Sequence, residues 1–152
     1  MSDNSAAKTF RILLVEDQEP DALAIKRLAD GVEGDVSVEV APDGETALAY
    51  LLIPPDVGGE APTRPMPHLV LLDIGLPRTS GIEVLRLVKG ETRLEDVPIV
   101  ILSGTDDVRI VRQGKELGAY TQIPKPLSSP EFDWMVKSIR NYWTRLANLR
   151  LD

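Results

Sequence analysis

The sequence predicts an α/β protein in which a parallel sheet of five strands alternates with five helices. Three observations predict it. Strongly apolar runs recur along the 152 residues, amphipathic segments with helix-capping residues fill the gaps, and the most apolar runs end on charged or hydroxyl side chains. Continuous apolar runs suit strands covered on both faces. Regular alternation of such strands with helices leads to a parallel sheet with right-handed crossovers.

Phe10–Asp17 (FRILLVED) opens the sheet with an apolar run that closes on two acids. Pro20 suits the first turn of the next helix, where a missing N–H costs nothing, and Ala22, Ile25, Leu28, Ala29 and Val32 share one face. Asp35–Ala41 (DVSVEVA) alternates apolar and polar residues, the pattern of a half-exposed strand. Asp43 caps a second helix that presents Ala47, Leu48 and Leu51. His68–Asp73 (HLVLLD) is a third, solidly apolar strand. Ser80 and Glu83 have capping-box spacing ahead of Val84, Leu85 and Val88, and Gly90 closes that helix. Val97–Gly104 (VPIVILSG) is the fourth strand. Thr105 caps the helix after it, with Asp106 and Asp107 favoured in its first turn by the helix dipole. Gly114 costs that helix about 1 kcal/mol relative to Ala. Ala119–Pro126 (AYTQIPKP) is a weaker strand whose prolines suit an edge. Ser128 or Ser129 caps the last helix, with Pro130 in its first turn. Phe132, Met135, Val136, Ile139, Tyr142, Trp143, Leu146 and Leu149 follow at helical spacing.

The second and fifth strands therefore belong at the edges, and the first, third and fourth in the middle. The order 2-1-3-4-5, a flavodoxin-like (βα)5 three-layer sandwich, satisfies this. Residues 1–9 read as a flexible lead-in and 10–152 as one domain with an extended last helix, leaving no room for a second domain. The odd segment is Pro54–Pro67, which holds five prolines and two adjacent glycines. It is long for a connection in a compact domain, and both a functional loop and a tolerated insertion fit it.

Composition narrows the class. The absence of cysteine removes disulfides, thiol catalysis and zinc-thiolate sites. No apolar run reaches the roughly 20 residues of a membrane span, and the N-terminus lacks a signal-peptide layout. The expected compartment is the cytoplasm, with no membrane partner. A net charge of -7 argues against a nucleic-acid partner.

In an open α/β sheet, ligands bind beyond the carboxyl ends of the strands, at the switch point between strands one and three. Glu16 and Asp17 end strand one, Asp73 ends strand three, Ser103 strand four and Lys125 strand five. Singly, each has an ordinary explanation as a loop polar residue, a surface lysine or a turn and cap. Their common edge does not. Clustered carboxylates raise one another's pKa, and a hard divalent cation removes that conflict. Mg²⁺ takes oxygen ligands and is commonly held by one or two carboxylates with water and phosphate oxygens. That selects Asp17 and Asp73 as direct ligands, with Glu16 acting through water and the Gly75 carbonyl completing the set. Lys125 and Ser103 add an ammonium and a hydroxyl, which complement the oxygens of a phosphoryl group. There is no cysteine, and the only histidine, His68, starts its strand at the opposite end. Asp73 is thus the candidate acceptor, as an acyl phosphate.

Together, ILLVEDQEPD, LVLLDIGLPRTSGIEVL, VPIVILSG and KELGAYTQIPKPL resemble the receiver domain of two-component response regulators, over roughly Arg11 to Tyr142. The resemblance implies that Asp73 accepts phosphate from a histidine kinase, and that Glu16, Asp17 and the Gly75 carbonyl form the Mg²⁺ pocket. It implies that Ser103 is a switch hydroxyl, that Lys125 pairs with the phosphate, and that the Lys125–Pro126 peptide is cis. The long loop before strand three and the ending IRNYWTRLANL are similar to single-domain regulators that partner phytochrome-type kinases. Two positions depart from the family, one of them Pro124, which directly precedes Lys125 and stiffens that loop. The aromatic expected three residues before the lysine is Gln122, and Tyr120, on the same side of the strand, is the alternative switch residue.

A regulator without an output domain acts through a surface. The expectation is a homodimer through the fourth helix, fifth strand and fifth helix, with Ile139, Tyr142, Trp143 and Leu146 available to a partner. The alternative is that the last helix folds back to complete the core. Competing functions are a phosphate sink or relay intermediate, an aspartyl-phosphate phosphohydrolase and a flavodoxin-like cofactor binder. The hydrolase needs an acid where Gly75 stands, and the cofactor binder needs a phosphate-cradling loop where EDQEPD stands. A phosphoacceptor rather than a turnover enzyme is expected.

Overall fold

The computed structural model describes residues 9–53, 65–104 and 108–151. Its strands are β1 (Phe10–Val15), β2 (Val36–Ala41), β3 (Leu69–Asp73), β4 (Ile99–Ser103) and β5 (Thr121–Pro124). They pair in parallel in the order β2-β1-β3-β4-β5, as the apolar patterns require. The helices are α1 (Glu19–Asp30), α2 (Gly44–Leu52), α3 (Gly81–Lys89), α4 (Val108–Glu116) and α5 (Ser129–Leu151), with a 3₁₀ turn at Thr92–Leu94. Among the described residues no helix is long and apolar enough to cross a membrane.

Side chains of the central strands alternate between two cores. Leu13, Val15, Val70, Leu72, Ile99 and Ile101 pack with Ala47 and Leu51 of α2 and with Val84, Leu85 and Val88 of α3. Ile12, Leu14, Leu69, Leu71, Val100 and Leu102 pack with Ala22, Ile25 and Ala29 of α1 and with Phe132, Met135, Val136 and Ile139 of α5. Each fully buried leucine, isoleucine or valine contributes about 1.5–3 kcal/mol relative to exposure. The sheet is thereby sandwiched between two helical layers.

Caps set where the helices begin. Asp43 Oδ1 accepts from the Thr46 N–H at 2.7 Å. Ser80 Oγ accepts from the Glu83 N–H at 3.2 Å, but Glu83 turns its carboxylate to Arg86 instead of completing a capping box. The complete box is at α5, where Ser128 Oγ accepts from the Glu131 N–H and the Glu131 carboxylate accepts from the Ser128 N–H. Ser128 is therefore the cap. The Thr105 cap with Asp106 and Asp107, and residues 1–8 and 54–64 of the lead-in and the long loop, lie outside the described residues.

Gly114 has a packing reason. A Cβ there would lie 2.7 Å from Ile101 Cδ1, so its absence lets α4 settle on β4. Gly81 is tighter still, since its Cβ would lie 2.5 Å from the Asp73 carbonyl oxygen and 2.7 Å from Ile74 Cα. The start of α3 thus abuts the backbone at the end of β3.

The proposed partner surface on α5 needs correction. Ile139 is fully buried against the sheet and cannot meet a partner. Tyr142 and Trp143 are half-buried and tied to the amino end of the sheet. The Tyr142 hydroxyl donates to the Asp96 carbonyl at 2.5 Å, and Trp143 Nε1 donates to the His68 carbonyl at 2.8 Å. Leu146 is half-buried and Leu149 exposed. The inner part of α5 finishes the core because Phe132, Met135, Val136 and Ile139 pack on the apolar side chains of β1, β3 and β4.

His68 anchors this end. Its Nδ1 accepts from the Arg11 N–H at 2.9 Å, and its ring stacks on Phe10 and meets Trp143 edge-on. Burial, reinforced by the nearby charges of Arg11 and Arg140, lowers its pKa to about 4, so the neutral ring is the folded form.

Two outcomes follow from these contacts. Gly81→Ala is expected to lower stability by about 2 kcal/mol in thermal or denaturant unfolding, because backbone atoms cannot move aside. For His68 the folded pKa lies below the unfolded one. Its contribution is complete above about 6.5 and is lost as pH falls through about 4. Unfolding followed by tryptophan fluorescence should show this acid loss, and His68→Gln should flatten it.

Candidate functional site

Parallel register aligns the carboxyl ends of the strands. Val15 pairs with Leu72, so Glu16, the next residue, comes level with Asp73. Ser103 pairs with Pro124, so Lys125 follows one step beyond. Glu16, Asp73 and Ser103 are the buried polar residues of the described chain, and all three stand at this edge. The sequence-predicted residues Glu16, Asp17, Asp73, Ser103 and Lys125 are thus brought together.

One carboxylate oxygen from each of Glu16, Asp17 and Asp73 lies within 4.8 Å of the others. Lys125 Nζ reaches Glu16 Oε1 at 3.1 Å and Asp73 Oδ2 at 3.5 Å. Backbone donors orient the acids: the Gln18 N–H donates to Glu16 Oε2 at 3.1 Å, and the Gly75 N–H to Asp73 Oδ1 at 3.0 Å. Lys125 is itself anchored, its N–H donating to the Ser103 carbonyl at 2.9 Å, and the Lys125–Pro126 peptide is cis.

The electrostatics follow from this packing. Burial pushes the Glu16 carboxyl up to about 7, and Asp73 adds to the rise, while the Gln18 N–H and Lys125 oppose it. Burial alone would lower the Lys125 ammonium. Hydrogen bonds to Asp21 and Glu16, with the charges of Asp73 and Glu16, outweigh it and hold the lysine well above its ordinary value. Three converging carboxylates are a hard oxygen donor set, which fits a divalent cation of the Mg²⁺ or Mn²⁺ kind.

Two features escaped the sequence reading. Asp21 Oδ2 lies 3.0 Å from Lys125 Nζ, the shortest of that lysine's ion pairs. Its position four residues after Asp17, on the first turn of α1, was the available signal. The other is a clasp on the loop between β3 and α3. Arg78, in the left-handed region at φ 59°, pairs with Asp43 at 3.2 Å and Glu45 at 3.5 Å, and the Thr79 hydroxyl donates to Glu45 at 2.7 Å. The clasp ties the loop that carries Gly75 to the start of α2.

Tyr120 stands apart from the pocket. It precedes β5, is 41% exposed and meets Tyr142 edge-on at 6.3 Å. Gln122 is half-buried beside Gly114 of α4. Trp134 is exposed on α5 and Trp143 lies at the other end of the sheet, so neither is a direct probe of the acidic cluster.

An open, five-stranded parallel sheet with an acid cluster, a lysine and a serine on its carboxyl edge defines a receiver domain. The chain belongs to this family: the response regulator receiver domain model matches residues 12–137, which places the protein in two-component signalling. Among curated relatives, the response regulator Rcp1 of Synechocystis is 30% identical over 98% of this chain and 98% of its own length. The probable methanogenesis regulatory protein FilR2 of Methanothrix harundinacea is 33% identical over 91% of this chain and 86% of its own. Among solved structures, the phosphorylated cyanobacterial phytochrome response regulator RcpA matches with a TM-score of 0.73 and 29% identity, covering 90% of this chain and 95% of that one. The Mn²⁺-bound form of Rcp1 matches with a TM-score of 0.70 and 30% identity, covering 88% and 93%. Receiver domains of response regulators work with histidine kinases, and a metal-bound relative accords with the acid cluster here.

A proton on Glu16 competes with a cation. With a carboxyl near 7, divalent-cation affinity should rise up to about tenfold between pH 6 and pH 8 and level off above. Calorimetric titration with Mg²⁺ checks this, and Glu16→Gln should flatten the dependence.

Proposed function

We propose that this receiver domain accepts a phosphoryl group on Asp73 from a histidine kinase and thereby switches a protein-interaction surface. The observation that carries the reading is the buried Asp73 carboxylate, held by the Gly75 N–H on one oxygen and facing Lys125 with the other. Asp73 Oδ2 attacks phosphorus in line, and the phosphorus–nitrogen bond to the kinase histidine breaks. The electron pair of that bond returns to the imidazole nitrogen. Lys125 and the Ser103 hydroxyl receive the phosphoryl oxygens. Asp17 and Asp73, with Glu16 through water and the Gly75 carbonyl, would hold Mg²⁺. When bound, that ion neutralises the clustered carboxylates and the phosphoryl oxygens.

The added charge draws Ser103 and Lys125 inward and biases the β4–α4 and β5 regions between two packings. Gln122, beside Gly114, and Tyr120, against Tyr142, are the residues through which that bias reaches α4 and α5. The output surface is the α4–β5–α5 face, where Val108, Val111 and Tyr120 are exposed, and it serves a C₂ homodimer. The similarity to RcpA, a phytochrome response regulator, supports a phytochrome-type kinase as the partner, and the compartment proposed is the cytoplasm. Phosphotransfer and self-catalysed dephosphorylation are the only chemistry assigned.

Incubation with a phosphorylated histidine kinase or with acetyl phosphate in Mg²⁺ should add one phosphoryl group, read by intact mass. Asp73→Asn and chelation of the metal should each abolish it. Labelling that survives in Asp73→Asn would overturn the assignment.

A further inference from the structure

Lys125 has three N–H donors and three carboxylate neighbours: Asp21 at 3.0 Å, Glu16 at 3.1 Å and Asp73 at 3.5 Å. Its donors are already engaged, and the acceptor Asp73 is its most distant partner. A phosphoryl oxygen arriving at Asp73 has to displace one of the three. Releasing Glu16, whose side chain is fully buried, would take the ammonium from its Oε1 and leave only the Gln18 N–H on its other oxygen. Asp73 becomes the phosphorylated group itself. The Asp21 side chain is 46% exposed, so its carboxylate is rehydrated at little cost.

We propose that Asp21 is a positioning residue of the acceptor site, occupying one donor of Lys125 until a phosphoryl group takes its place. This rests on the phosphoacceptor reading above and adds to it a restraint supplied by α1. Every phosphorylation event then exchanges the Lys125–Asp21 pair for a Lys125–phosphoryl pair. Asp21 lowers the affinity of the site for the phosphoryl group by the strength of the pair it gives up. Two ordinary effects have to be separated from this one. Asp21 lies in the first turn of α1, where an acid favours the helix dipole, and any nearby acid repels an anion. Glu19 shares both properties but is not among the partners of Lys125.

The test is beryllofluoride binding in saturating Mg²⁺, measured by calorimetry on the full chain. The variants are Asp21→Ala, Asp21→Glu and Glu19→Ala, each with its melting temperature recorded. Asp21→Ala should bind beryllofluoride about threefold to fivefold tighter than wild type. Asp21→Glu should restore wild-type affinity, and Glu19→Ala should leave it unchanged. Equal affinity in wild type and Asp21→Ala, or equal tightening in Glu19→Ala, overturns the role of Asp21 and leaves the acceptor reading intact. A wild-type protein that neither binds beryllofluoride nor takes up phosphate overturns both.

Discussion

One ammonium among four carboxylates is the constraint on which the rest of the site depends. Glu16, Asp17, Asp21 and Asp73 converge on Lys125 or on one another at a single edge of the sheet. Burying charges there is costly unless each finds a partner. Lys125 meets that need for Glu16 and Asp73, and the Gln18 and Gly75 N–H groups complete it. The lysine is held in place through its own backbone, which bonds to Ser103 at the end of the neighbouring strand. The loops follow from the same requirement. Gly81 lets α3 press against the Asp73 carbonyl, and the Arg78 clasp secures the turn between them to α2. Chemistry needing a carboxylate poised near a cation therefore sits on backbone with little freedom to drift.

The two ends of the sheet are built on opposite logic. At the carboxyl end, strand termini present clustered charges, among them a Glu16 carboxyl pushed up to about 7 by burial. At the amino end, Phe10, His68, Trp143 and Tyr142 form a connected aromatic group, with the Arg140 guanidinium over Phe10 at 5.1 Å. Polar atoms there are tied to backbone, as with Trp143 Nε1 on the His68 carbonyl. That end fixes the inner part of α5 across the sheet. Under the proposed switch this end would serve as the fixed frame, with α4, β5 and the exposed side of α5 as the responding elements.

Much of this was legible in the chain itself. The solid runs at Ile12–Val15, Leu69–Leu72 and Ile99–Leu102 are central strands, and the alternating run at Val36–Ala41 is an edge. Ends of strands are visible where apolar runs meet charges, which is why Glu16, Asp73 and Ser103 could be placed on one rim. Partner choice was less legible. Glu83 has capping-box spacing yet pairs with Arg86, since both partners lie within one helical turn and sequence does not rank them. Helical spacing also put Ile139, Tyr142, Trp143 and Leu146 on one stripe without showing how far the sheet beneath extends.

What the sequence alone determined was periodicity, and with it the order of elements, the two buried faces and the rim on which the acids gather. Local pattern is enough for these because side-chain direction repeats every two residues in a strand and every 3.6 in a helix. Only the tertiary structure decided which charges touch. Lys125 and Asp21 are far apart in the chain and on different elements, and their 3.0 Å contact depends on strand register and on the packing of α1. The same holds for the burial of Ile139 and the tethering of Trp143, which depend on how α5 packs over the strands beneath it.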